Sequence, residues 1–140
     1  MDHFEISGSW KLVSLSRKEL TTGTVVEPFG ANPTGYLVYT PGGRMVAMLF
    51  AEGRPDGLTE SNRVELQRTA FAYSGTYKLD GQIATQHVDM STTPDWIGGD
   101  QIRHLTLEGD RLTIVTAPSP SAIDKEQVVL TIVWNRDERF

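Results

Sequence analysis

The feature that most constrains this sequence is a succession of short apolar runs separated by turn signals. Asp80-Gly81 and Gly109-Asp110 each stand between two strand-like runs, and the triplet at 41–43 (PGG) separates two more. Such turn residues between alternating apolar runs favour β-hairpins. Eight runs of this kind follow one another without an internal repeat. The pattern therefore predicts an antiparallel, up-and-down arrangement of strands.

One segment departs from this pattern. Between residues 58 and 73 the apolar side chains recur at helical spacing, and Asn62 followed by Glu65 fits a capping box. We expect one short helix in this segment.

The fold that this pattern favours is an all-β, eight-stranded antiparallel up-and-down barrel with one short helix, because closure pairs both edge strands. The length of 140 residues suits a single domain, which we assign to residues 1–140. An eight-stranded barrel has an interior wide enough for side chains or one small ligand.

Composition narrows the partners and the location. The formal net charge is −5 and the basic residues are scattered, which argues against nucleic acid and anionic membranes as partners. There are no cysteines, so disulfides and thiolate metal sites are excluded. The longest apolar run, residues 45–51, is too short to span a bilayer. The first residues show no signal-peptide pattern, and we expect a soluble, cytoplasmic protein.

Turn positions predict which side chains face the interior. The loop after Tyr39 pairs it with Met45. The turn at residues 109–110 pairs Leu105 with Ile114 and Arg103 with Thr116, which places Arg103 and Ile114 on the inner face. Val13 and Leu15 are expected on the outer face of the first strand, where a helix, a loop or another subunit would cover them. A homodimer is therefore one expected state.

Two registers compete at the Asp80-Gly81 hairpin. A two-residue turn puts Tyr77 opposite Ala84, whereas a three-residue loop with Gly81 in a bulge pairs Tyr77 with Ile83. A shift of one residue moves every side chain to the other face. We adopt the bulged register because it sends the polar side chains of both strands to solvent together, namely Ser74, Thr76, Lys78 and Gln86. The inner face then includes Tyr73, Thr85, His87 and Asp89.

The resulting interior is apolar with a few convergent polar groups, which is typical of a small-molecule pocket. The segment at 93–99 (TPDWIGG) places Trp96 either as a lid at the mouth or packed over the rim. The candidate ligand-binding residues are Tyr39, Met45, Tyr73, Tyr77, Thr85, Trp96 and Ile114.

Three residues carry candidate chemistry. His87 and Asp89 lie two residues apart on one strand face. His87 is either a general base or a polar anchor for the ligand, or a histidine whose hydrogen bonds are satisfied by a neighbour in the wall. Arg103 inside an apolar barrel is costly unless it is paired. It either forms a structural ion pair with Asp89 or holds a ligand carboxylate or enolate. No HxH or HExxH spacing and no nucleotide motif occurs, so we predict neither a metal nor a cofactor.

A resemblance covers nearly the whole chain in order. Gly8-x-Trp10 resembles the opening of lipocalin-type barrels, and stretches such as "PFGANPTGYLVYTPGGRM", "HVDMSTTPDWIGGDQIRHLTLEGDRLTI" and "TIVWNR" are similar to bacterial and fungal lipocalin-like domain proteins. The resemblance implies a ligand-binding barrel whose Trp10 is covered by Arg136 in a cation–π contact. It also implies that some relatives are cofactor-free isomerases or cyclases. Many relatives have adjacent histidines where this chain has Gln86-His87.

These observations favour a barrel that encloses one small, mostly apolar molecule with a polar or anionic end. The alternative is a cofactor-free isomerase or cyclase acting on a hydrophobic, secondary-metabolite-like substrate. In that mechanism His87 moves a proton, Arg103 stabilises an oxyanion and Asp89 orients His87. A third alternative is a barrel that serves mainly in oligomerisation.

Overall fold

In the part of the chain that the structure describes, ten antiparallel strands form one sheet that closes on itself. The computed structural model describes residues 1–120 and 126–140. In chain order the strands are β1 (Gly8–Glu19), β2 (Val25–Val26), β3 (Thr34–Tyr39), β4 (Arg44–Phe50), β5 (Ala70–Asp80), β6 (Ile83–Ser91), β7 (Asp100–Glu108), β8 (Arg111–Thr116), β9 (Ser119–Pro120) and β10 (Gln127–Glu138). The two-residue strands β2 and β9 extend the rim. The other eight form the wall, which confirms the predicted eight-stranded barrel.

Sequential hairpins build the wall, and β1 closes it. Strand β1 pairs with β3 on one side and with β10 on the other, so the wall formed by the described strands has no free edge. The predicted pairing of Tyr39 with Met45 is confirmed, and so are the pairings of Leu105 with Ile114 and of Arg103 with Thr116.

The helices are short. Those among the described residues are α1 (His3–Ile6), α2 (Arg63–Arg68) and a 3-10 turn (Pro94–Trp96). Helix α2 lies within the predicted segment, but the expected capping box is absent. The side chain of Asn62 instead accepts from the Thr59 amide and donates to the Gly57 carbonyl, which ties down the preceding loop. None of the described helices is long and apolar enough to cross a membrane.

A bulge in β1 changes which side chains face inward. Leu12 pairs with Trp134 and Ser14 with Val133, so one residue of β1 is unmatched between them. A bulge of this kind reverses the alternation of side chains that follow it. Leu15 therefore lies inside the barrel with 5% of its surface exposed. The expectation that it lies outside and needs a covering partner was wrong.

The adopted register of the β5–β6 hairpin was also wrong. Asp80 pairs with Ile83 and Tyr77 with Gln86, so Gly81 and the next residue form a two-residue loop. This register has the same face parity as the two-residue turn that we set aside. It brings Ala84, Gln86 and Val88 inward. Its outward-facing residues are Ile83, Thr85, His87 and Asp89.

Trp10 fills the closed end of the barrel. Its side chain is fully buried, and its indole nitrogen donates to the Ile6 carbonyl at 2.8 Å. The guanidinium of Arg136 lies 4.2 Å from the Trp10 ring centroid and also donates to the Ser7 and Glu5 carbonyls. The expected cation–π contact is confirmed, and α1 completes the cap.

Candidate functional site

A cavity of about 610 Å³ occupies the half of the barrel away from Trp10. Helix α2, the loop after β2 and the segment after β6 surround its mouth, where Phe29, Val64 and Trp96 belong to the lining. The volume lies within the usual range for small-molecule pockets. The apolar side chains of the wall are Leu15, Leu37, Ala47, Leu49, Phe71, Ile114, Leu130 and Ile132.

The sequence-predicted residues separate into three groups. Five of them line this cavity: Tyr39, Tyr73, Trp96, Arg103 and Ile114. Met45 and Tyr77 are buried but belong to the filled, closed half, where the Tyr77 hydroxyl donates to the Thr40 carbonyl at 2.6 Å.

The other three predicted residues lie on the outer surface, contrary to expectation. His87 is more than half exposed, and its Nδ1 is 2.8 Å from a carboxylate oxygen of Asp100. Asp89 pairs with Arg44 at 2.8 Å rather than with Arg103. Thr85 lies beside His87 in a shallow surface depression. The cause is the register of the β5–β6 hairpin, which turns the odd-numbered residues of β6 outward.

Gln86 links two tyrosines within the cavity wall. The Tyr73 hydroxyl donates to Gln86 Oε1 at 2.8 Å, and Gln86 Nε2 donates to the Tyr39 hydroxyl oxygen at 2.7 Å. All three side chains are at least nine-tenths buried. Burial raises the pKa of Tyr39, and the nearby Tyr73 raises it further. Tyr39 therefore stays a neutral phenol around neutral pH and cannot serve there as an anionic base.

Arg103 brings a charge into this apolar wall. Only 6% of its surface is exposed. Its guanidinium lies 5.7 Å from the Trp96 ring centroid and donates to the Ile102 carbonyl at 3.2 Å. Among the described residues it has no carboxylate partner, and most of its five N–H donors remain unused. A guanidinium in this position can donate hydrogen bonds to an anion.

The charge of the lining contrasts with that of the chain. The described residues of the lining include two arginines, Arg103 inside and Arg68 at the mouth, and no aspartate or glutamate. The chain as a whole has a net charge of −5. The cavity is therefore electropositive within an acidic protein.

Comparison of the sequence with models of protein families identifies the family of this chain. A family model described as a lipocalin-like domain matches residues 7–137, which is almost the whole chain. The chain belongs to the lipocalin-like domain family. A search of the curated proteins found no match. The lipocalin-like barrel supports ligand binding in general, and the cavity described above is where such a ligand would lie.

Sequence reasoning missed several residues of the lipocalin-like cavity. Gln86 was expected at the surface, and Leu15 was placed on the outer face. The sequence contained a signal for the inward position of Gln86. In Asp80-Gly81-Gln82, as in Glu108-Gly109-Asp110, an acidic residue precedes the glycine of the turn. In both hairpins the glycine is the first loop residue, with φ of 60° at Gly81 and 61° at Gly109. Treating the two turns alike gives the observed register.

The lipocalin-like cavity combines an apolar wall with several polar side chains. Strands of the closed barrel contribute a guanidinium, two phenols, an amide and an indole, and the lining outside the strands adds Gln67, Arg68, Thr92 and Thr93. Among the described residues, no three His, Cys, Asp or Glu side chains are grouped as metal ligands.

Proposed function

We propose that this lipocalin-like barrel binds one small, mostly apolar molecule whose anionic end lies beside Arg103. The observation that carries the proposal is the buried guanidinium of Arg103, which faces the cavity and has no carboxylate partner among the described residues.

A bound anion compensates the buried charge of Arg103. Removing a guanidinium from water is costly unless a partner replaces the lost hydration. A bound anion supplies that partner and forms charge-assisted hydrogen bonds, each worth about 1.5–3 kcal/mol. The ligand body is held by the aliphatic and aromatic wall, since burial of apolar surface contributes about 25 cal/mol per Å².

The cofactor-free isomerase or cyclase receives less support from this geometry. That mechanism needed His87 as the proton carrier and Asp89 behind it. Both side chains are on the outer surface, and each is paired there with a neighbour, Asp100 and Arg44 respectively. Binding alone requires only Arg103 and the apolar wall.

The test is a matched pair of probes, decanoate and decan-1-ol, titrated calorimetrically at neutral pH. They share an alkyl chain and differ in the charge of one end. For the wild type we expect decanoate to bind more tightly. Arg103→Leu should weaken decanoate about 10- to 150-fold, which corresponds to 1.5–3 kcal/mol, and should change decan-1-ol much less.

Arg111→Leu is the matched control. Arg111 is exposed, does not line the cavity and bonds to Asn135 on the neighbouring strand. Arg111→Leu removes one positive charge, as Arg103→Leu does. Because surface charges are screened, we expect it to leave both affinities within about twofold of the wild type. Equal affinity of the wild type for both probes, or unchanged decanoate binding in Arg103→Leu, would overturn the proposal.

A further inference from the structure

The hydrogen bonds around Gln86 have a direction. An amide oxygen only accepts, so the Tyr73 proton is used at Gln86 Oε1. An amide nitrogen only donates, so the Tyr39 oxygen is an acceptor in this chain. Neither of these two hydrogen bonds uses the hydroxyl proton of Tyr39. Among the described residues it has no acceptor.

We propose that the Tyr39 hydroxyl binds the charged end of the ligand together with Arg103, and that this end is a carboxylate. The inference rests on the proposed function and specifies the chemistry of the same site. A carboxylate has two strongly accepting oxygens on one carbon, so one can accept from the guanidinium and the other from the phenol.

Three features of the structure support this pairing. Tyr39 and Arg103 both belong to the cavity lining, and they are close enough to interact electrostatically. Tyr39 is fully buried, and a buried donor without a partner costs free energy that a ligand oxygen would recover. The Tyr39 ring is also fixed, since it packs edge-on against Tyr77 at 4.7 Å.

Gln86 acts in this proposal as a positioning residue. Its amide nitrogen donates to the Tyr39 oxygen and cannot accept the Tyr39 proton, so that proton is available to another acceptor. The substitution Gln86→Glu would change this, because a carboxylate at this position can accept the Tyr39 proton itself. That carboxylate accepts from both tyrosines and adds a negative charge near Arg103.

The test uses two anionic probes that share a ten-carbon chain and one negative charge. Decanoate has two strongly accepting oxygens, and decane-1-sulfonate spreads its charge over three weaker ones. Tyr39→Phe should weaken decanoate about tenfold, the effect of one hydrogen bond to a charged group. It should weaken decane-1-sulfonate by less than about threefold. Arg103→Leu should weaken both probes.

Tyr77→Phe is the matched control for loss of a buried hydroxyl. The Tyr77 hydroxyl donates to a backbone carbonyl, and its side chain is outside the cavity lining. Its removal should leave decanoate affinity within about twofold.

Gln86→Glu tests the direction of the hydrogen bonds. We expect it to weaken both anions at least tenfold while decan-1-ol still binds, and retained binding of the alcohol shows that the barrel is folded. A purely structural role would instead weaken the alcohol and the anions alike, which would overturn the role of Gln86.

The outcomes separate this inference from the proposed function. If Arg103→Leu weakens both anions while Tyr39→Phe weakens neither, the Tyr39 inference fails and the proposed function stands. If Arg103→Leu weakens neither, the proposed function itself fails.

Discussion

The two halves of the barrel differ in how completely their polar groups are partnered. In the closed half, the Trp10 indole donates to a carbonyl, and Arg136 covers its ring while bonding two further carbonyls. In the open half, Arg103 has one backbone acceptor and a cavity of about 610 Å³ beside it. The Trp134 indole nitrogen, on the same lining, is buried without a hydrogen-bond partner among the described residues.

This difference separates stability from function. Filled space with satisfied polar groups lowers the free energy of the folded state, because each removed contact leaves a cavity or an unpaired group. Unfilled space with unused donors contributes little to folding and is available to a ligand. Substitutions in the closed half should therefore act on stability, and substitutions in the open half on binding.

The largest effect on stability is expected at the closed end. Trp10→Ala should lower the free energy of unfolding by about 3–5 kcal/mol, measured by urea denaturation, because it empties a fully packed site. The comparison variant Trp96→Ala removes a half-buried ring at the mouth, and its loss should be smaller. Equal losses at the two ends would show that the halves do not differ in this way.

Arg136 in the closed half and Arg103 in the open half should differ in their contribution to the free energy of unfolding. Arg136→Leu removes two hydrogen bonds from a charged group to carbonyls and should cost about 2–3 kcal/mol of unfolding free energy. Arg103→Leu, without ligand, removes an uncompensated buried charge and should leave stability unchanged or raised. Denaturation of both variants in parallel tests this, and a comparable loss in Arg103→Leu would mean that Arg103 has a structural partner.

A third, smaller effect depends on pH. Because burial raises the pKa of Tyr39 above its ordinary value of 10.0, the unfolded chain releases this proton at a pH where the folded chain still holds it. The stability contribution is complete below about pH 10 and is lost as the pH rises beyond it, by at most about 1.4 kcal/mol per pH unit. Tyr39→Phe should make the decline less steep. Parallel curves for variant and wild type would contradict this.

Much of the architecture follows from local signals. The hairpins at residues 41–43 and 109–110 set the faces of their strands correctly, so Tyr39, Arg103 and Ile114 were placed inside. The cation–π cap of Trp10 came from the family resemblance rather than from spacing. Turn chemistry therefore predicted the barrel and about half of the candidate site.

The remaining errors have physical causes. At Gly81 the choice of register rested on sorting polar side chains to solvent, and that rule misplaces a buried glutamine such as Gln86, whose hydrogen bonds are satisfied by tyrosines. At β1 the alternation fails because the bulge after Leu12 depends on pairing with β10, far along the sequence. The bulge is not a local feature, so a strand-by-strand reading does not reveal it, whereas the register at Gly81 follows from the local turn sequence.

The central claim is that the open half holds an anionic-ended ligand with its charge at Arg103. A crystal structure of the decanoate complex tests this most directly. We predict that a carboxylate oxygen lies within hydrogen-bonding distance, about 2.7–3.0 Å, of the Arg103 guanidinium. The alkyl chain should lie against Ile114 and the apolar wall. A carboxylate at the mouth beside Arg68, with the chain reversed in the cavity, would contradict it.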